Sequence, residues 1–102
     1  MNESKNLIKL AKKLEVAGSK LIVLECIEMN TAKKITNKLT IPTIGIGSSK
    51  YCDGQVLVID DIINLDSSNY KPKFIKTYTN IELNITDAVK KFTRDVKNKK
   101  FP

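Results

Sequence analysis

The sequence predicts an α/β fold built on a parallel sheet. Three observations carry that prediction: strand-length apolar segments alternate with segments of helical period, the first strand is apolar on both faces, and closely spaced glycines end the second. Residues 5–17 read as a helix, with Leu7, Leu10, Ala11, Leu14 and Ala17 forming one apolar stripe opposite the lysines. Ser4 suits its N-cap, and Gly18 its left-handed stop. Residues 20–26 follow as a strand around Leu21-Ile22-Val23-Leu24, ending on Glu25.

The alternation repeats. Asn30 or Thr31 is expected to cap a second helix that turns Ala32, Ile35 and Leu39 inward, before a strand over 42–46 and another over 55–59. Ser48 to Gly54 is a short link for parallel strands, whose crossover normally takes about a dozen residues or more. A helical turn or a special geometry is needed there. Beyond Asp60 and Asp61 the chain loosens through residues 64–69, and Pro72 opens a segment over 73–79. A terminal helix is expected over about 81–98, with Ile85, Ala88, Val89, Phe92 and Val96 buried and Thr79 and Glu82 as a capping box. No internal repeat or flexible linker interrupts this order, so residues 1–102 are read as one partial domain. A three-stranded parallel sheet leaves two edges free to pair, and the chain therefore reads as an arc of a larger closed sheet. By itself it is expected to be marginally stable or prone to aggregate.

Composition narrows the chemistry. The 102 residues are 41% hydrophobic and 28% charged, ordinary for a soluble domain, and no apolar run approaches the roughly 20 residues needed to span a bilayer. The amino-terminal segment has no apolar secretory core, which makes the cytoplasm the expected location and leaves no role for a membrane. The formal charge of +7 invites a nucleic-acid partner. Against this, Arg94 is the one arginine, Ile and Asn are as abundant as expected from AT-rich codons, and the lysines lie along solvated helical faces. Nucleic acid is accordingly not expected as a partner. There is no histidine, which removes every Ser-His, Cys-His and His-metal scheme and leaves acid–base work to Glu, Asp, Lys, Tyr or a thiol. Cys26 and Cys52 form no C-x-x-C pair and are read as reduced thiols.

Glu25 is the sharpest candidate. It ends a buried-type strand at the edge where α/β barrels carry their catalytic residues. Between Leu24 and Cys26 it is expected to be partly desolvated, as a general base working near neutrality requires; the plainer alternative is a solvated charge where strand meets loop. Gly45 and Gly47 either let backbone approach a ligand or supply a turn with positive φ. Their G-x-G lacks the third glycine of a dinucleotide fingerprint. Ser48 and Ser49 leave room for a ligand, although loop serines are common. Asp53-Gly54 is a good turn pair. Asp60 and Asp61 resemble a metal pair, but strand neighbours point to opposite faces, so a strand terminus in water is the expected role.

Four motifs in order and spacing point further: Leu24-Glu25-Cys26, Ile41-Pro42-Thr43-Ile44-Gly45-Ile46-Gly47, Cys52-Asp53-Gly54-Gln55-Val56-Leu57-Val58 and Pro72-Lys73-Phe74. Together they resemble the C-terminal part of the ketopantoate hydroxymethyltransferase family, over nearly the whole chain. The resemblance implies a (β/α)8 barrel of which this chain supplies roughly the last three strands. It implies transfer of a one-carbon unit from 5,10-methylenetetrahydrofolate to 3-methyl-2-oxobutanoate, giving 2-dehydropantoate for pantothenate and coenzyme A synthesis. In that family Mg2+ chelates the keto acid, its ligands lying outside this chain. Glu25 matches the general base, while Gly45, Gly47 and Ser48 fall in the substrate or cofactor pocket.

Three departures accompany the resemblance. The family tends to have proline where Glu28 stands, and Ala-Gly where Ser48-Ser49 stand. The half that supplies the metal carboxylates is absent, so the chain alone is expected to be inactive. An N-terminal half-barrel or other barrel subunits are the expected partners, with a homo-oligomer when complete. The alternative is a non-catalytic remnant that pairs with another barrel subunit.

Overall fold

Helix α1 (Asn2–Val16) opens the computed structural model, which describes residues 2–65, 73 and 75–102. It ends in a Schellman turn: Ser19 N–H donates to Leu14 O, Gly18 N–H to Glu15 O, and Gly18 takes φ +110°. Strand β1 (Ile22–Glu25), helix α2 (Met29–Lys38), strand β2 (Thr43–Ile46) and strand β3 (Gly54–Gln55) follow. These belong to the first of two compact units, Met1–Val56 and Leu57–Pro102.

The three strands form one parallel sheet in the order β1-β2-β3. Leu24 pairs with Gly45 and Glu25 with Ile46, so residues on one face alternate with residues on the other. Ile22, Leu24 and Thr43 are buried on the helix side. There Ile22 and Leu24 join Ala11, Ala32, Ile35, Leu39 and Cys52 in a core flanked by Leu7, Ile8, Ile27 and Ile41. Fully burying a Leu or Ile of this kind contributes about 1.5–3 kcal/mol.

No helix of this unit covers the other face. Val23 is 54% exposed where its neighbour Leu24 is 5%. The expected burial of β1 on both faces therefore gives way to burial on one, because both helices of this unit pack on the same side. A similar correction applies to α1. Leu7, Ile8 and Ala11 turn inward, whereas Leu10, Leu14 and Ala17 remain exposed.

The short link between β2 and β3 is possible because β3 pairs only with Ile44 and Gly45. The chain returns part of a strand length, not the full crossover. Asp53 anchors that return: its Oδ2 accepts from Thr43 N–H at 2.8 Å, and Gln55 Nε2 donates to Ser49 O at 2.7 Å. Strand pairing is shorter than the 55–59 expected. Ile59 begins a one-turn helix, α3 (Ile59–Ile62), with Asp60 and Asp61 in its first turn.

Helix α4 (Ile81–Lys97) dominates the second unit. Its N-cap is Asn80, whose Oδ1 accepts from Leu83 N–H at 3.3 Å and Asn64 Nδ2 at 2.9 Å, in place of the expected Thr79–Glu82 box. Tyr78 N–H donates to Ile62 O and Ile81 N–H to Ile63 O, tying α3 to the start of α4. The stripe Ile85, Val89, Phe92 and Val96 exists but is exposed, not buried. Phe92 meets the ring of Phe101 edge-on at 5.3 Å. The expected segment start at Pro72 and most of the loose 64–69 stretch lie outside the described residues.

Glu15 closes the first unit at the opposite end from β1's carboxylate. Its side chain, 11% exposed, accepts from Lys12 Nζ at 2.6 Å, Thr40 N–H at 2.7 Å, Ile41 N–H at 3.2 Å and Thr40 Oγ1 at 3.1 Å. Lys12 foremost, then Thr40 N–H, holds its pKa down from 4.5 to about 2, against a smaller upward push from burial. A depressed carboxyl pKa stabilises the fold fully above about pH 4.5, and the contribution drains away as pH falls toward about 2. The denaturation midpoint of Glu15→Gln is expected below wild type at neutral pH, with the gap closing through that window. A gap unchanged by acid would show that the charge is not what holds Thr40.

Candidate active site at the end of the first strand

Glu25 is the last residue of β1 and lies on the uncovered face with Val23, Ile44 and its strand partner Ile46. Its side chain is exposed. The shielding expected from Leu24 and Cys26 is absent, since Leu24 points to the helix side and Cys26 is itself exposed. What surrounds the carboxylate on its own face is apolar strand surface.

Immediately after Glu25 the chain turns sharply. Cys26 takes φ +53°, a left-handed conformation uncommon outside glycine. Three hydrogen bonds stitch this turn to the end of β2. Cys26 N–H donates to Ile46 O at 3.0 Å, Ile27 N–H donates to Ser48 Oγ at 3.0 Å, and Ser48 Oγ donates to Leu24 O at 2.5 Å. Gly47, at φ +62°, makes the tight turn that brings Ser48 under β1. Of its two possible roles, this structure displays the turn.

Gly45 lies away from Glu25, on the helix side. A Cβ there would stand 3.0 Å from Cys52 Sγ and 3.1 Å from Gln55 Oε1. Its visible role is to let the 48–53 loop pack against the sheet. The sequence suggested one grouping of four residues that the structure separates: Glu25 on one face, Gly45 on the other, Gly47 and Ser48 joining the strand ends.

Glu28 caps α2, where Asn30 or Thr31 was expected to. Its carboxylate accepts from Asn30 N–H and Thr31 N–H, each at 2.9 Å, and from Thr31 Oγ1 at 3.0 Å. The two backbone donors, Asn30 first, hold its pKa below the usual carboxylate value. Cap preferences favour Ser, Thr, Asn and Asp, so the longer glutamate was passed over. Its backbone, at φ −55° and ψ 140°, is one that proline also adopts. Far from intruding on the Glu25 loop, the extra charge is satisfied by the helix that follows.

Both thiols are free, Cys52 buried and Cys26 exposed. Asp60 and Asp61 occupy the α3 turn, and among the described residues no three His, Cys, Asp or Glu side chains converge to hold a metal. No described helix is long and apolar enough to cross a membrane.

The family model for ketopantoate hydroxymethyltransferase matches residues 1–102. The chain belongs to the ketopantoate hydroxymethyltransferase family. It is 52% identical over 100 residues to the 3-methyl-2-oxobutanoate hydroxymethyltransferase of Pelagibacter ubique, covering 98% of this chain and 38% of that protein. The enzyme of the same name from Clostridium botulinum is 50% identical over 99 residues, 97% of this chain and 36% of its own length. That from Thermosipho melanesiensis is 48% identical over 101 residues, 99% and 38% respectively. The chain thus spans a little over a third of the length of the curated relatives it matches. Family membership and a mixed α/β unit with a three-stranded parallel sheet stand together.

Substitutions at Gly45 and Glu28 probe this site. Gly45→Ala drives a methyl into the buried Cys52 and is expected to cost about 1–3 kcal/mol by chemical denaturation. Adding Cys52→Ala should return part of that loss, and additive costs would place the strain elsewhere. Glu28→Ala is expected to speed amide exchange at Asn30 and Thr31 and lower the melting temperature, while Glu28→Pro preserves the backbone turn. Unchanged exchange in Glu28→Ala would show that the cap is dispensable.

Proposed function

We propose that this chain is the C-terminal segment of a ketopantoate hydroxymethyltransferase barrel and that Glu25 is its general base. The observation that carries the reading is the position of Glu25: carboxyl-terminal on a parallel strand, on the apolar face that the helices of its own unit leave bare. In a closed (β/α)8 barrel that face is the interior, and the strand's carboxyl end is the catalytic rim.

On this reading Glu25 takes the C3 proton of 3-methyl-2-oxobutanoate. The electron pair of the broken C–H bond forms the enolate, whose C3 attacks the methylene carbon of 5,10-methylenetetrahydrofolate as one of its two C–N bonds breaks. Water then displaces the second nitrogen, which leaves the hydroxymethyl group of 2-dehydropantoate and free tetrahydrofolate. The described residues do not fit a magnesium site, and no step assigned to this chain passes through the ion. Completion of the barrel by the remaining two thirds would supply both the cover over Val23, Ile44 and Ile46 and the stabilisation of the enolate that a base alone lacks. The segment by itself is therefore expected to be inactive. The bare stripe on α4 favours a second reading, a non-catalytic piece that pairs with another barrel subunit.

The test is 2-dehydropantoate formation by this chain alone and by this chain combined with the rest of a family barrel. Turnover only in the combination is expected, with Glu25→Gln lowering it by about 10²–10⁴-fold. Stable association without turnover would favour the non-catalytic reading. Full activity in Glu25→Gln would remove Glu25 from the chemistry.

A further inference from the structure

Ser48 was expected to line a pocket, but its hydroxyl is already committed. Its single proton goes to Leu24 O at 2.5 Å, and one of its lone pairs receives Ile27 N–H at 3.0 Å. It has no proton left to donate to a substrate. The two groups it joins stand on either side of Glu25 and Cys26. Leu24 O belongs to the same peptide plane as the Glu25 nitrogen, and Ile27 N to the plane that follows Cys26. One hydroxyl therefore spans the whole turn that carries the candidate base.

The turn needs such a constraint. Cys26 sits at φ +53°, and a residue with a β-carbon relaxes out of that region unless its surroundings hold it. The Cys26 N–H bond to Ile46 O fixes only the near side of the turn. Ser48 fixes the far side, and Gly47 at φ +62° delivers it there. Ser48 is only partly exposed, which limits the competition of water for both bonds. An alanine at this position would leave the bridge unmade.

We propose that Ser48 is a positioning residue that aims Glu25 by bridging Leu24 O and Ile27 N–H across the β1–α2 turn. This rests on the reading of Glu25 as the base, and the experiment separates the two. Amide exchange at Ile27 and the Cys26 HN–Hα coupling, which reports φ, are measured in this chain for wild type, Ser48→Ala and Ser48→Thr. The same variants are assayed in the assembled barrel beside Glu25→Gln.

Ser48→Ala is expected to speed Ile27 exchange on the order of tenfold and to shift the Cys26 coupling. It is expected to lower kcat roughly tenfold with KM nearly unchanged, because a misaimed base weakens the proton-transfer step and not substrate binding. Ser48→Thr, which keeps the hydroxyl, should restore both readouts. Unchanged exchange and coupling in Ser48→Ala would overturn the bridge. Loosened exchange with kcat untouched, or a loss that falls on KM alone, would overturn the positioning role. Full turnover in Glu25→Gln would instead overturn the base itself, and the positioning role with it, while the exchange measurement still reports on the bridge alone.

Discussion

A slip of one residue between β1 and β2 would turn Leu24 outward and push the Glu25 carboxylate into a core made of Ile35, Ala32 and Leu39. The cost of burying that charge unpaired makes the register from Ile22–Thr43 to Glu25–Ile46 a sharp choice. Everything else in the first unit follows from it. It sends Thr43 to the helix side, where Asp53 and Thr36 meet it, and places Gly45 where the returning loop needs room. It also brings Ile46 O and Ser48 within reach of the turn after Glu25.

Much of this was legible in the residues. Alternation of strand-like and helix-like segments gave the element order, and an apolar strand ending on a carboxylate marked Glu25 before any geometry was known. Element ends were less legible. Ser4 lies inside α1 and bonds Thr31 Oγ1, Glu28 displaces Asn30 and Thr31 as a cap, and Asn80 displaces Thr79. Several residues in each stretch can cap, and packing decides among them. The run Val56-Leu57-Val58-Ile59 has no period to separate strand from helix, so the α3 turn was hidden. Inward-facing positions on α1 and α4 were overestimated for another reason: hydrophobic period reports which face prefers burial, not whether a neighbour is present to bury it.

The role of Ser48 illustrates a different limit. Leu24 O and Ile27 N–H, which it bridges, lie 24 and 21 residues earlier, and no local pattern encodes a hydroxyl that reaches across a sheet. Glu15 is similar, joining the last turn of α1 to Thr40 and Ile41 at a separation of 25 and 26 residues. Such side-chain to backbone bonds fix where loops sit relative to strands. Glu28 is the complementary case, a departure absorbed locally because the backbone conformation suits either residue.

The loop from Gly47 to Asp53 has a consequence for how this chain can vary. Ser48 fastens its beginning to β1, Gln55 fastens its middle through Ser49, and Asp53 fastens its end to Thr43. A segment pinned at three points has no slack to take up an extra residue or to lose one. Drift in this stretch is therefore confined to exchanging side chains at fixed length. Insertions into this unit must enter through connections that lack these fastenings.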